Sequence, residues 1–91
     1  MSKVVLKGYI VVPKQDLAKV TKELENHKAL TIRESGCLVF EVTQSGQNPC
    51  IFNVYEEFKD KASFELHQKR VSSSYWGEVT VNVERHYQIT E

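Results

Sequence analysis

The chain has 91 residues; 12 are Lys or Arg and 12 are Asp or Glu, so its formal net charge at neutral pH is zero. That length makes one domain with one small core, and a balanced charge excludes bulk electrostatic capture of nucleic acid or an anionic membrane. With 41% hydrophobic and 26% charged residues the composition is that of a globular protein rather than a disordered one.

No apolar run approaches the roughly 20 residues of a membrane span. The opening Met1-Ser2-Lys3-Val4-Val5-Leu6 is interrupted by Lys7 and Gly8 and lacks the apolar core of a signal peptide. The expectation is a soluble, cytoplasmic protein. Cys37 and Cys50 form no CxxC motif and no disulfide framework, and no Cys/His cluster has zinc-site spacing.

Lys3 to Val12 is rich in Val, Ile and Tyr and predicts a strand stopped by Pro13. It is apolar on both alternations: Val4, Leu6, Ile10 and Val12 on one, Val5, Tyr9 and Val11 on the other. Such a strand is covered on both faces. A helix follows, from about Gln15 to Glu34, with Gly36 as its stop. Its apolar stripe of Leu17, Val20 and Leu24 continues onto His27 and Thr31, so the core-facing side turns polar in the last two turns.

Cys37 to Thr43 predicts a second strand, Gln44 to Pro49 a hairpin loop, and Ile51 to Phe58 the return strand. In that hairpin Cys50 falls opposite about Gln44. Cys37 is then on the order of 23 Å away at about 3.3 Å per residue, beyond the roughly 7 Å Cα separation a disulfide tolerates. Asp60 is a natural N-cap for a second helix from about Lys61 to Ser72, with an inward stripe of Phe64, His67 and Val71. Glu65, Lys69 and Arg70 read as its solvated face. Ser72-Ser-Ser74 loosens the chain, Tyr75-Trp76 anchors it, and the alternation of Val79, Val81 and Val83 predicts a last strand from about Glu78 to Ile89.

The order β-α-β-β-α-β is the ferredoxin-like arrangement, an α+β fold with a four-stranded antiparallel sheet and two helices on one face. The other face carries apolar residues from the first strand, and a second copy packed sheet to sheet would cover them. A homodimer is expected.

Three polar residues fall where a small core should be apolar: His27, His67, and Glu56 in the Phe52-Val54-Glu56-Phe58 alternation. Buried imidazole and carboxyl groups must be paired or shift their pKa until neutral, and such a cluster exchanges protons near neutral pH. These three are the candidate acid-base residues. Thr31, Tyr55, Phe64 and Trp76 are the candidates for the substrate pocket, Trp76 as a wall that stacks on a planar ring. Two His and one Glu also match a divalent metal by ligand type, yet no short-range spacing supports a metal site. Cys37 reads as a small packed residue. No phosphate loop, dinucleotide fingerprint or nucleophile elbow occurs.

The segments His27 to Thr31, Glu34-Ser-Gly-Cys-Leu-Val-Phe-Glu-Val42, Phe52-Asn-Val-Tyr-Glu56, Asp60 to His67 and Ser74-Tyr-Trp76 resemble the antibiotic biosynthesis monooxygenase family, above all its small quinol monooxygenase-like members. The resemblance runs over essentially the whole chain. It implies a dimeric α+β barrel and oxidation of phenolic or quinol-like aromatics without flavin, haem or metal. The haem-degrading branch needs an Asn on the first strand and a Trp in the second helix, where this chain has Gly8-Tyr9-Ile10 and His67. A further branch isomerises a phosphorylated signalling sugar; for such a substrate Arg33, Lys59 or Arg70 would stand at the pocket mouth. A non-catalytic small-molecule-binding dimer is the third reading.

Overall fold

The computed structural model describes residues 2–91. Strand β1 (Val4–Val11) leads through a single 3-10 turn, Lys14–Asp16, into helix α1 (Leu17–Ile32). The hairpin of β2 (Cys37–Gln44) and β3 (Ile51–Phe58) follows, then α2 (Lys61–Ser72), the short α3 (Tyr75–Val79) and β4 (Glu84–Thr90). The four strands form one sheet in the order β2-β3-β1-β4, every neighbouring pair antiparallel. This is the ferredoxin-like α+β fold, with a third, short helix. Among the described residues, no helix is long and apolar enough to cross a membrane.

The helices bury one face of the sheet. Leu6 of β1 pairs with Glu56 of β3, which pairs in turn with Phe40 of β2. That row of three side chains therefore faces the helices together. The core beneath α1 and α2 is built from Val4, Leu6, Ile10, Val20, Leu24, Val42, Phe52, Val54, Phe58 and Phe64. Within it α1 buries Val20, Leu24, His27 and Thr31, and α2 buries Phe64 and His67. Asp60 caps α2, its side chain accepting a hydrogen bond from the Ser63 amide at 2.8 Å.

Three expectations need correction. The helix expected from Gln15 to Glu34 spans Leu17–Ile32, with Arg33 as its C-cap, so Glu34 lies in the turn beyond it. The hairpin pairs Gln44 with Phe52, not with Cys50. Its loop is wider because its own side chains hold it: the Gln44 amide donates to the Pro49 carbonyl, Ser45 Oγ accepts from the Gln47 and Asn48 amides, and Asn48 Oδ1 accepts from the Cys50 amide. Cys37 pairs with Phe58 at the far end, and both thiols are free.

The third correction is the start of the last strand. Ser74 Oγ accepts from the Gly77 amide and caps α3, which carries Trp76 and Val79 into the core. Thr80 Oγ1 donates to the Trp76 carbonyl at 2.6 Å. Val81 lies exposed in the turn, while Val79 and Val83 are buried. An alternation of valines thus belongs to a helix end and a turn, because a local cap outweighed β-propensity.

The uncovered face of the sheet is mixed. Val5, Val11, Val39, Ile51 and Tyr55 are half-buried, Lys7 and Asn53 are exposed among them, and Tyr9 stacks on His86 at 4.7 Å. Every residue of β4 is exposed.

Gly8 holds β1 and β4 together. Its φ of 155° and a hypothetical Cβ only 1.9 Å from the His86 carbonyl oxygen leave no room for a side chain. Gly8→Ala is expected to lower unfolding free energy by more than about 1 kcal/mol in urea denaturation; a change within about 0.5 kcal/mol would mean that the two strands are not held this close.

Candidate active site

The polar interruptions of both helix stripes converge on one cavity. Its volume is about 180 Å³, and its buried wall includes Leu6, Ile10, His27, Val42, Val54, Glu56, His67 and Trp76. Gln68, Arg85 and Tyr87, all exposed, stand at its rim. α1 and α2 place His27 and His67 in the wall that faces the sheet. The cavity is closed at one end by α3, which brings Trp76 flat against His27, the rings 4.5 Å apart and 6° from parallel. Phe40 meets the edge of His27 at 5.4 Å, and Phe58 packs on His67 at 4.8 Å.

His67 is the best-held group in the site. Its Nδ1 lies 2.8 Å from Glu34 Oε1. A carboxylate only accepts, so Nδ1 carries the proton and the Nε2 lone pair is directed the other way. Glu56 Oε1 lies 3.8 Å from that Nε2, too far for a hydrogen bond. Glu34 is fixed by Arg70, whose Nε donates to Oε2 at 2.6 Å; Arg70 also donates to Thr31 Oγ1 at 3.0 Å, and Thr31 donates to the His27 carbonyl at 2.8 Å. Thr31, Glu34, His67 and Arg70 thus form a connected polar clamp between α1 and α2.

Two buried polar atoms in the cavity wall lack hydrogen-bond partners among the described residues: His27 Nδ1 and Glu56 Oε1. Leaving such atoms unpaired costs about 1–3 kcal/mol each, and native proteins keep few of them outside functional sites. Their protonation follows from burial. Glu56 is pushed up to about 7, first by burial and then by the charge of Glu34. His27 is pulled down to about 3 by burial and by His67, Arg70 and Arg85. Burial also lowers His67, although Glu34 opposes the shift. Near neutral pH the cavity therefore holds two neutral imidazoles and a carboxyl group at its titration point.

Of the residues singled out from sequence, His27, Glu56, His67 and Trp76 line this cavity. Thr31 is buried behind it, in the clamp. Tyr55 and Phe64 do not line it. Tyr55 alternates with Glu56, so it projects from the opposite face, where its hydroxyl donates to Glu57 and Lys3 pairs with the same carboxylate at 3.0 Å. Phe64 sits one helical turn before His67 and packs on Phe58 at 5.5 Å, away from the opening. Arg33, Lys59 and Arg70 are not at the mouth either; the cationic side chain there is Arg85, held by the Thr80 carbonyl and hydroxyl at 3.2 and 2.8 Å. Glu34 and Arg85 are the residues that sequence reasoning passed over. For Glu34 the signal was present, since it opens the Glu34-Ser-Gly-Cys segment.

The raised pKa of Glu56 fixes a stability change with pH. Between about 4.5 and 7 the folded protein keeps a proton on Glu56 that the unfolded chain releases, so this group's contribution falls as pH rises through that window. His27 acts oppositely, its contribution being lost as pH falls from 6.5 towards about 3. Above pH 6.5 only the Glu56 slope remains. Glu56→Gln is therefore expected to be more stable than the wild type at pH 8 by about 2–3 kcal/mol, and the gap should close towards pH 5. Parallel denaturation curves with a constant gap would show that Glu56 does not titrate as stated.

The architecture and the sequence have relatives. No curated protein matches the sequence. Among solved structures, a provisionally named antibiotic biosynthesis monooxygenase from Bacteroides thetaiotaomicron superposes with a TM-score of 0.80 at 17% identity, over 99% of this chain and 87% of the other. One of the same provisional name from Nitrosomonas europaea gives 0.78 at 19% identity, over 97% and 85%. A third, from Deinococcus radiodurans, gives 0.76 at 18%, over 97% and 90%. At these identities the likeness is one of fold. The sequence model of the antibiotic biosynthesis monooxygenase family, in contrast, matches residues 4–76, a span that includes β1, both long helices, the hairpin and Trp76. The chain belongs to the antibiotic biosynthesis monooxygenase family.

Proposed function

We propose that this protein is a cofactor-independent monooxygenase for a single-ring phenol or quinol, with His67 as base and Glu56 as acid. The observation that carries the reading is the pair of buried, unpartnered atoms, His27 Nδ1 and Glu56 Oε1, in the wall of an otherwise largely apolar cavity. A hydroxylated aromatic supplies what that wall lacks: apolar faces for Leu6, Ile10 and Trp76, and oxygen atoms for the two orphans. Size narrows the class. A cavity of about 150 Å³ lined by aliphatic side chains accommodates benzene, so about 180 Å³ suits one substituted ring and not a fused polycycle.

The chemistry balances without an external reductant. His67 Nε2 takes the proton from the substrate hydroxyl, leaving an electron-rich phenolate able to reduce dioxygen. One oxygen atom enters the ring and becomes a carbonyl; the other leaves as water with the hydrogen lost from that ring carbon and the one lost from the hydroxyl. The substrate's own electrons reduce the second oxygen. Glu56, half-protonated near pH 7, is the acid for the departing oxygen, and neutral His27 holds a substrate oxygen without adding charge. The flat His27–Trp76 stack sets the plane in which the ring is received.

The test is dioxygen consumption with methyl-substituted hydroquinones, compared with fused-ring analogues. Single-ring substrates should be oxidised and fused ones not. His67→Leu should lower turnover by roughly 10²–10⁴-fold and leave the fold intact. Activity should rise with pH as His67 loses its proton and fall through about 7 as Glu56 ionises, and Glu56→Gln should remove the alkaline limb. Turnover that persists without dioxygen would assign an acid-base isomerase instead; tight binding without turnover would assign a binding protein.

The same reading includes a homodimer through the uncovered sheet face. The half-buried stripe of Val5, Val11, Val39, Ile51 and Tyr55 supports it, as does β4, which is exposed along its whole length and presents an unpaired edge. Sedimentation at micromolar concentration should give twice the chain mass; a monomer would reject this assembly without touching the cavity.

A further inference from the structure

His67 stands between two openings. Its Nε2 edge borders the substrate cavity. On the other side is a surface groove of about 190 Å³, lined by Glu34, Ser35, Gly36, Ser63, Leu66 and His67. The His67 side chain is only 3% exposed, whereas that of Glu34 is 20% exposed. Glu34 Oε1 is the atom that joins Nδ1 to this groove, at 2.8 Å. Gly36 brings the turn after α1 against the first turn of α2 beside this groove: a Cβ there would lie 2.2 Å from Ser63.

We propose that Glu34 is the outlet through which the proton taken up by His67 passes to water in this groove, so that proton traffic and substrate use opposite sides of one imidazole. The inference rests on His67 being the base of the reaction. When the substrate O–H bond breaks, an N–H bond forms at Nε2, and phenolate and imidazolium face each other. That ion pair would hold the phenolate's electron density. Breaking the Nδ1–H bond towards Glu34 Oε1 returns the ring to neutrality and leaves the phenolate uncompensated towards dioxygen. Oε2 stays bonded to Arg70 at 2.6 Å, so Oε1 is the atom that hands the proton on, and groove water receives it. On the return, the departing oxygen takes one proton from Glu56, which recovers the proton lost from the ring carbon, and the other from His67 Nε2, and Nδ1 is reprotonated from the groove through Glu34.

The charged and titratable groups nearest the ring fit this direction, with Arg85 and Tyr87 farther off on the cavity side. Glu34 is on the groove side with Arg70 behind it; Glu56 of β3 and His27 of α1 are on the cavity side, the latter with its ring centre 6.1 Å away. A neutral His27 does not compete for the proton.

The test uses para-nitrophenol as a single-ring probe whose ionisation is visible and whose electron-poor ring resists oxidation. The full chain with bound probe is subjected to an upward pH jump without dioxygen, and the phenolate band is followed by rapid mixing. With the probe at saturation, Glu34→Ala should slow ionisation by about 10²-fold. Formate, small enough to occupy the vacated groove, should restore much of the rate, while chloride at equal ionic strength should not. Ionisation at the wild-type rate in Glu34→Ala, or equal effects of formate and chloride, would overturn the proposal.

A second measurement needs no ligand and uses the near-isosteric Glu34→Gln. Imidazole nitrogen NMR of the free protein should show the His67 Nδ1–H proton exchanging with water more slowly in the variant, by about tenfold or more; unchanged exchange would overturn the outlet even if the cavity reading stands. Failure of para-nitrophenol to bind the wild type would count against the cavity reading, and the NMR exchange would then decide the outlet by itself.

Discussion

A single carboxylate at the end of the first helix settles how the two helices meet. Glu34 accepts from His67 with one oxygen and from Arg70 with the other, at 2.8 and 2.6 Å, and the charge-assisted bonds are of the stronger kind. Because His67 and Arg70 are three residues apart on α2, one carboxylate reaches both. Arg70 then reaches back to Thr31 on α1. The rotation of α2 about its axis, the tautomer of His67 and the shape of the cavity all follow from this clamp. Gly36 lets it form by allowing the turn after α1 to touch the first turn of α2 at Ser63. The Glu-Ser-Gly-Cys segment is thus a docking device for the second helix before it is anything catalytic.

The fold was largely legible because hydrophobic periodicity is a strong signal in a chain this short. The stripes at 20, 24, 27, 31 and 64, 67 were readable, and the positions that broke them were the informative ones. His27, Glu56 and His67 stood out because a small core tolerates few polar residues. What was not legible depended on contacts far apart in sequence. The partnership of Glu34 with Arg70 spans 36 residues, and nothing local distinguishes that arginine from the solvated residues beside it. Arg85 belongs to an edge strand whose start was misplaced. Tyr55 and Phe64 were assigned to the pocket by chemical type, although the period-two and period-3.6 rules put Tyr55 on the other face and Phe64 a turn away.

The site combines features that oppose one another energetically. Burying two imidazoles and a carboxyl group beside apolar walls removes solvation, and two of their polar atoms gain nothing in exchange among the described residues. The clamp of Thr31, Glu34, His67 and Arg70 offsets this on one side only, since it satisfies His67 and leaves His27 and Glu56 open. Stability is concentrated at the helix junction, and unsatisfied hydrogen-bonding capacity is concentrated in the cavity. A fully apolar cavity wall would be more stable and would have nothing with which to orient a substrate.

The flat contact between Trp76 and His27 has a practical consequence. Trp76 is the chain's single tryptophan, and it forms part of the cavity wall with an imidazole stacked on its face. All indole fluorescence of the protein therefore originates in the wall of one chamber, stacked on a ring that an entering aromatic would meet. The molecule carries its own optical gauge of occupancy, and unlabelled protein suffices to screen candidate aromatics and to time their arrival and departure.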